Sequence, residues 1–351
     1  MKTIGILLIT ILLIAAGYLL YLFADYDRIP DQIALDNRNN SQQKIPIKKD
    51  LKAMTFNIGY GAYTSDYTFF MDGGKISRAK DKETVEENLT GIIETTEKLE
   101  PHLAFFQEVD QDGDRSQHVD EVERLQKHFS NASSTYGKNY HSSYLFYPFL
   151  EPIGKATSGL VTISKSEITE TMRYSLPIET NFNKFFDLDR AFIVSRIPTD
   201  NEKELIAINV HLSAYSKDPT ILEAQLSKLT EVMNAEYQKG NYVLVAGDFN
   251  HDMLGNSPDI FEIDEERKSW DQPFPEEKLP QHFSHPKGKI AEKKIPSARN
   301  LDIPYQPGKS YVTVLDGFLI SDNISAKEVM VSDEQFKNSD HNPVLLTFQL
   351  N

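Results

Sequence analysis

The chain has no cysteine among its 351 residues. That excludes disulfide frameworks, thiolate metal sites, cysteine nucleophiles and lipid attachment through sulfur. It is compatible with a life outside a membrane, where a free thiol is a liability. Positive charge is also short. Against 52 Asp and Glu stand 37 Lys and Arg, a formal net charge of −15 with a pI near 5.1. A protein that tracks a nucleic-acid backbone by charge alone does not have this balance, although a locally positive pocket stays compatible with it. No basic patch with interleaved aromatics stands out, and no clean small-x-small cleavage site precedes Asp25.

What the chain does have begins with apolar residues. From Thr3 to Ala24 there is no formal charge and a predominance of Ile and Leu, about the 20 residues needed to cross a hydrocarbon core. Lys2 precedes the run, while Asp25, Asp27 and Asp31 follow it with only Arg28 among them. The positive-inside tendency puts the N-terminus in the cytoplasm and the bulk outside. The reading is a retained transmembrane anchor over residues 1–24, in preference to a cleaved signal peptide that would release a secreted form. Residues 25–50 are polar with little apolar periodicity and read as a linker. Residues 51–351 then form the folded domain, with ample mass for a core.

Within the domain the first strand is Leu51 to Asn57, ending Asn57-Ile58-Gly59-Tyr60-Gly61, where two glycines let the backbone turn sharply. Asp66 to Lys80 reads either as a surface loop or as a lid whose Lys75, Arg78 or Lys80 meets an anionic substrate. A helix follows from Glu83 to Glu100, with Val85, Leu89, Ile92 and Ile93 on one face and Pro101 as its stop. Leu103-Ala104-Phe105-Phe106 is a buried strand with Glu108 at its end. Val119 to Phe129 is a shorter helix. The aromatic stretch from Tyr140 to Leu150 reads as core and rim packing rather than a membrane or base-stacking surface.

Further strands are expected at Ala191–Arg196 and Glu204–Leu212, a helix from Pro219 to about Gln238, and a strand from Tyr242 ending Gly247-Asp248-Phe249-Asn250. After an irregular stretch come Tyr311 to Ile320 and a last strand, Val344 to Leu350. An internal echo runs through this order: strand, helix, strand ending in a carboxylate, once at 51–108 and again at 204–248. Parallel strands joined by crossover helices put all these strand ends on one edge of an α/β layered domain.

Collected from those ends, the polar groups are Asn57, Glu108, His211, Asp248, Asn250, Asp316, Asp340 and His341, and Asp248 and Asn250, two apart, would share a face in an extended backbone. Converging carboxylates repel unless a cation or proton lies among them. Oxygen ligands without thiolates call for a hard cation, Mg²⁺ first and Mn²⁺ or Ca²⁺ next. Two histidines add proton transfer near neutral pH. Such a site suits displacement at phosphorus.

Asn57-Ile58, Gln107-Glu108-Val109, Asn209-Val210-His211, Gly247-Asp248-Phe249-Asn250, Asp316-Gly317-Phe318 and Ser339-Asp340-His341-Asn342-Pro343-Val344 resemble the ordered motifs of the endonuclease/exonuclease/phosphatase superfamily, the DNase I-like fold. The resemblance spans about residues 51–350. It implies a four-layer α/β sandwich, two packed β-sheets flanked by helices, and metal-dependent phosphoester hydrolysis. Carried over by position, Glu108 is the principal metal ligand, with Asn57 and Asp340 helping. Asp248 orients or deprotonates the attacking water, and Asn250 holds that water or the phosphate. His211 hydrogen-bonds a phosphate oxygen, and His341 paired with Asp316 stabilises charge or transfers a proton. Arg190 and Arg299 are candidate phosphate contacts, or else ordinary surface salt bridges; Arg78, in the Asp66–Lys80 segment, is a third candidate contact if that segment is a lid rather than a surface loop.

Acidity, tethering and the 66–80 insertion favour a small or lipid-borne phosphoester over duplex DNA. The alternatives are a surface nuclease and, from another class, a non-catalytic surface binding module on the same scaffold. Protein partners and the number of metals are open at this point.

Overall fold

Two long β-strands with apolar residues on both faces anchor each sheet, and the helices between them carry one apolar stripe; that pattern dictates layers. The computed structural model describes residues 2–185, 189–214, 219–263 and 271–351. Part of the irregular stretch expected between Asp252 and Gln306 lies outside these.

The first half comprises α1 (Lys2–Asp25), β1 (Ile33–Leu35), β2 (Asn37–Arg38), β3 (Leu51–Asn57), α2 (Lys82–Leu99), β4 (Leu103–Gly113), α3 (Glu121–His128), β5 (Ser133–His141) and β6 (Ala156–Ser164). The second comprises β7 (Glu170–Ser175), β8 (Ala191–Pro198), β9 (Glu204–His211), α4 (Pro219–Gln238), β10 (Tyr242–Asp248), β11 (Phe283–Ser284), β12 (Ala298–Arg299), β13 (Val312–Thr313), β14 (Asp316–Ser321), β15 (Ile324–Val331) and β16 (Val344–Leu350).

One seven-stranded sheet runs β15-β16-β3-β4-β6-β5-β2, the other β1-β7-β8-β9-β10-β14-β11. The pairs β3/β4 and β9/β10 are parallel, each joined by its crossover helix, as the internal echo required. Between the sheets Ala53, Phe105 and Leu346 meet Val194, Ile208 and Val245, and the same apolar cluster reaches Leu226, Leu229 and Met233 of α4. On the outer face of the first sheet Val85, Leu89 and Ile92 of α2 cover Met54, Phe56 and Phe106. Helix, sheet, sheet, helix is the four-layer sandwich.

Local chemistry explains where α2 begins and ends. Asp81 caps it by accepting from the Thr84 amide at 2.8 Å, and Glu100 closes it in a left-handed conformation just before Pro101. The two sheets are also tied by polar groups. Gln107 Nε2 donates to Asn209 Oδ1 at 2.8 Å, and Asn209 Nδ2 donates to the Phe106 and Val161 carbonyls.

Two expectations are corrected. Residues 33–38, assigned to a linker, are edge strands: β1 extends the second sheet beside β7, and β2 extends the first beside β5. The polar side chains that suggested solvent serve as partners for the sheet edge, with Asn37 and Asn40 both donating to the Ile168 carbonyl. The aromatic stretch is only partly core: Leu145 is buried, while Phe146, Tyr147, Phe149 and Leu150 are exposed. The helix α1 is long and apolar enough to cross a membrane.

Candidate active site

The polar groups collect where β3, β4, β9, β10 and β14 meet one edge of the sandwich. In the second sheet, Asp248 is the register partner of His211 on one side and of Asp316 on the other. Partners in register project to the same face at the same height, so three functional groups start side by side. Gly247 permits this close approach. A Cβ there would sit 1.9 Å from the Val210 carbonyl oxygen.

The first sheet supplies its groups differently. Asn57 ends β3 opposite Gln107. Glu108 leaves the ladder: the β4/β6 register jumps from Phe106 to Val109, and Glu108 takes a left-handed φ of 53°. A bulge of this kind re-aims a side chain at a cost in backbone strain. The Glu108 side chain keeps 26% of its exposure, against 2% for Asp248 and 5% for His211.

Distances join the two halves. Asn57 Nδ2 donates to Glu108 Oε1 at 3.1 Å and to Asp248 Oδ2 at 3.0 Å. His211 Nε2 lies 4.0 Å from Glu108 Oε1 and 3.6 Å from Asp248 Oδ2. His341 Nε2 lies 3.7 Å from the same Asp248 oxygen, while its Nδ1 is bonded to Asp316 Oδ2 at 2.7 Å. Ser339 Oγ donates to the Asn57 carbonyl at 2.8 Å, which brings the next residue, Asp340, to the Asn57 side. Both imidazoles therefore face one carboxylate oxygen across gaps too long for direct hydrogen bonds but short enough to be bridged by one atom.

The charges of this cluster are pushed apart. Burial, with the Arg190 and His341 charges adding to it, holds His211 well below its ordinary value. Burial would lower His341 too, but Asp316, Asp340 and Asp248 together hold it well above. These opposite directions favour the neutral form of His211 and the protonated form of His341. Burial pushes the Asp248 carboxyl up to about 6, against the pull of His341. Burial also pushes Asp340 up to about 7, again opposed by His341, and the Glu108 charge adds to the rise. Carboxylates crowded this way favour a bound cation.

Two groups of atoms compete as its ligands. Asp248, Asp316 and His341 offer atoms all within 4.8 Å of one another and are the tightest His/Asp/Glu grouping among the described residues. However, Asp316 Oδ2 already accepts from His341 Nδ1 and from Ser297 Oγ, so that carboxylate has only its buried, unpartnered Oδ1 left to offer. Glu108, partly exposed, and Asp340, buried but close enough to feel its charge, offer hard oxygens, and Asn57 would join them through Oδ1, which here accepts from the Gly59 amide while Nδ2 faces Glu108 and Asp248. That donor set fits a hard divalent ion better.

The other expected residues are placed as follows. Asn250 takes a left-handed φ of 49°, so its side chain does not share a face with Asp248 as strand alternation implied; Nδ2 is committed to the Leu212 carbonyl, and its backbone N–H caps Asp248 Oδ1 at 2.8 Å. Arg78 is not gathered with the cluster. Its Nη2 donates to the Pro152 carbonyl at 2.6 Å, pegging the 66–80 segment to the β5–β6 loop. Arg299 is buried and clamps the turn below the site through Thr64 O at 2.8 Å, with its backbone N–H on Asp340 O. Arg190 alone of the three stands where its charge acts on His211. Sequence reading missed Ser297, whose hydroxyl fixes Asp316, and the buried Asp110–Arg115 pair behind Glu108, in which Arg115 also stacks on Tyr60 at 3.9 Å. Nothing in a serine or a charge pair signals such roles without a fold.

The sequence matches the family model described as Endonuclease/Exonuclease/phosphatase family over residues 54–288. Among solved structures, the endonuclease/exonuclease/phosphatase from Beutenbergia cavernae is 15% identical, with a TM-score of 0.53 over 87% of this chain and 72% of that one. The human Nocturnin catalytic domain with bound sulfate is also 15% identical, with a TM-score of 0.53 over 90% and 98%. D. rerio TDP2 complexed with a single-strand DNA product is 13% identical, with a TM-score of 0.53 over 86% and 100%. No curated protein matches. At such identities the structural likeness is one of fold.

Proposed function

Since the chain belongs to the endonuclease/exonuclease/phosphatase family and is a hydrolase of phosphoester bonds, we propose that it is a Mg²⁺-dependent phosphoesterase, anchored by α1 with its catalytic domain outside the cytoplasm. The observation that carries the mechanism is the meeting of Asn57 and both histidines on Asp248, with Glu108 beside them. Glu108, Asn57 and Asp340 would hold the ion. A hard divalent cation bound there supplies neutralisation of a phosphoryl oxygen and makes water more acidic.

The chain's own groups do the rest. Asp248 is fixed at Oδ1 by the Asn250 amide and at Oδ2 by Asn57, so it presents one oxygen in a set direction to a water. Its carboxyl, poised near 6 by burial, suits proton acceptance near neutrality. His341, held as an imidazolium by Asp316, offers its Nε2 proton to charge developing on the phosphoryl group. His211, neutral and facing both carboxylates, orients a phosphate oxygen, and Arg190 adds positive potential beside it. The layered hydrogen bonds from Ser297 and Ser339 keep these distances fixed.

Net charge and the apolar helix favour a small or lipid-borne phosphoester over nucleic acid as substrate. The lysine before α1 and the aspartates after it favour an outward catalytic domain. The test is turnover of bis(p-nitrophenyl) phosphate and p-nitrophenyl phosphate by the full chain with Mg²⁺, then with excess EDTA. Turnover abolished by the chelator and restored by Mg²⁺ supports the reading. Equal rates with and without chelator overturn it.

A further inference from the structure

The helix α1 is too short to cross a bilayer and stay clear of the domain. Its last turns are docked: Leu22 is buried, Tyr18 donates to the Tyr144 carbonyl at 3.1 Å, and the Tyr144 amide donates to Tyr21 Oη at 2.9 Å. Tyr18 also packs edge-on against Phe146, and Phe23 against Phe185. The undocked part, residues 2–17, spans about 24 Å at 1.5 Å per residue. A hydrocarbon core is about 30 Å thick. If α1 spans the membrane, the docked turns and the domain surface beside them must reach the lipid interface. Tyrosines are the residues expected at that depth.

The surface at that place has the corresponding chemistry. The β5–β6 loop presents Phe146, Tyr147, Phe149 and Leu150 to the outside; Phe149 is 81% exposed and Leu150 wholly so. Next to it Met71 is half exposed, on the 66–80 segment. That segment is fastened to the loop by Ser77 Oγ on the Glu151 carbonyl at 2.5 Å, by Arg78 on Pro152, and by Phe70 against Tyr147. A contiguous apolar patch of this kind on a folded domain marks a contact surface.

Topology puts the patch beside the catalytic edge. Antiparallel pairing of β6 with β4 places Ala156 opposite Gly113, so the β5–β6 loop emerges at the end of β4 that lies just past Glu108. The 66–80 segment continues the connection. Phe69 binds the Leu301 carbonyl through its amide, and Tyr67 and Phe69 both pack on Tyr63, whose neighbours are Glu108 and Asp340.

We infer that the β5–β6 loop is a second membrane-contact surface, seated in the interfacial layer of the same bilayer that holds α1, so that the rim of the active site is kept at the lipid surface. This rests on the reading of α1 as a retained span and deepens the lipid-borne substrate reading. The partner is the bilayer itself. Continuity with the docked helix distinguishes it from a protein partner, which would have no reason to sit at the depth that α1 sets.

The absence of cysteine makes the test direct. Full-length Leu150→Cys, Met71→Cys and Glu202→Cys chains are labelled with nitrobenzoxadiazole and reconstituted in phosphatidylcholine/phosphatidylglycerol vesicles, with flotation checked first. Glu202 lies exposed in the β8–β9 turn, at the opposite end of the sheet from His211. Lipid spin-labelled near the carbonyl is expected to quench the Leu150 probe at least about threefold more than the Glu202 probe, with Met71 between them. Equal weak quenching at all three positions overturns the inference, as does a chain that fails to float. A Leu150 probe shielded from both lipid and aqueous iodide indicates a protein partner and also overturns it. Loss of p-nitrophenyl ester turnover with the quenching order intact strikes only at the enzymatic reading.

Discussion

The two strand–helix–strand units each carry part of the site, with Asp316, Asp340 and His341 added from β14 and the loop before β16, and the two units hold their parts differently. The unit β3–α2–β4 delivers Glu108 from a left-handed bulge, partly open to solvent. The unit β9–α4–β10 delivers His211 and Asp248 in unbroken register, buried, at a spacing set by the ladder. A group that exchanges a hydrated ion needs access and an aimed backbone. Groups that pass protons need fixed distances and a low dielectric. On the proposed mechanism, the contrast divides one architecture, repeated twice, between ion binding and proton handling.

The largest expected effect is in the buried half. Asp248→Asn keeps shape but removes the proton acceptor and turns one of the two oxygens that accept from Asn57 and Asn250 into a donor, so kcat should fall about 1,000-fold, with the cation dependence of turnover unchanged. A loss under tenfold would break the division of labour. Glu108→Gln should do the reverse. At fixed Mg²⁺ turnover drops about 100-fold, on the scale of disturbed metal affinity, and titration with excess cation recovers most of it. If added cation restores nothing, Glu108 belongs to proton transfer as well.

Smaller effects sharpen the comparison at the seam. Asn209→Ala deletes the amide joining the two units and leaves Gln107 Nε2 and two carbonyls without it. Denaturant unfolding should show a loss of about 2 kcal/mol, with turnover of the folded protein within about twofold. The smallest effect concerns Glu121, whose Oε2 accepts from the Asp110 amide behind Glu108. Burial, with the Asp110 charge adding to it, holds its carboxyl well above the ordinary range, against the pull of Arg115. A folded value above the unfolded one means that stability is full below about pH 4.3 and declines as pH rises through the folded value. Glu121→Gln should therefore raise Tm relative to the parent at pH 8 more than at pH 4. An offset independent of pH would contradict that.

These differences also mark what sequence alone could convey. Strand ends carrying Asn57, Glu108, His211, Asp248, Asp316 and His341 were legible because apolar runs stop at them and two such runs repeat with a helix between. The pairing of His341 with Asp316 was legible only through family resemblance. Two features were not legible. The conformation of Asn250 depends on a left-handed turn, which sends its amide to Leu212 and defeats strand alternation. The fate of the polar 33–38 segment and of Arg78 depends on which edges and carbonyls happen to lie nearby, information held by distant residues. Aromatics between Tyr140 and Leu150 looked like packing because composition does not tell an inward ring from an outward one.

The central claim is the location of the ion, and anomalous diffraction from crystals grown with Mn²⁺ locates it directly. The account predicts a peak within coordination distance of the Glu108 carboxylate, shared with Asn57 and Asp340, with the His341–Asp316 hydrogen bond intact. A peak bonded to His341 and Asp316, with Glu108 unliganded, would contradict it.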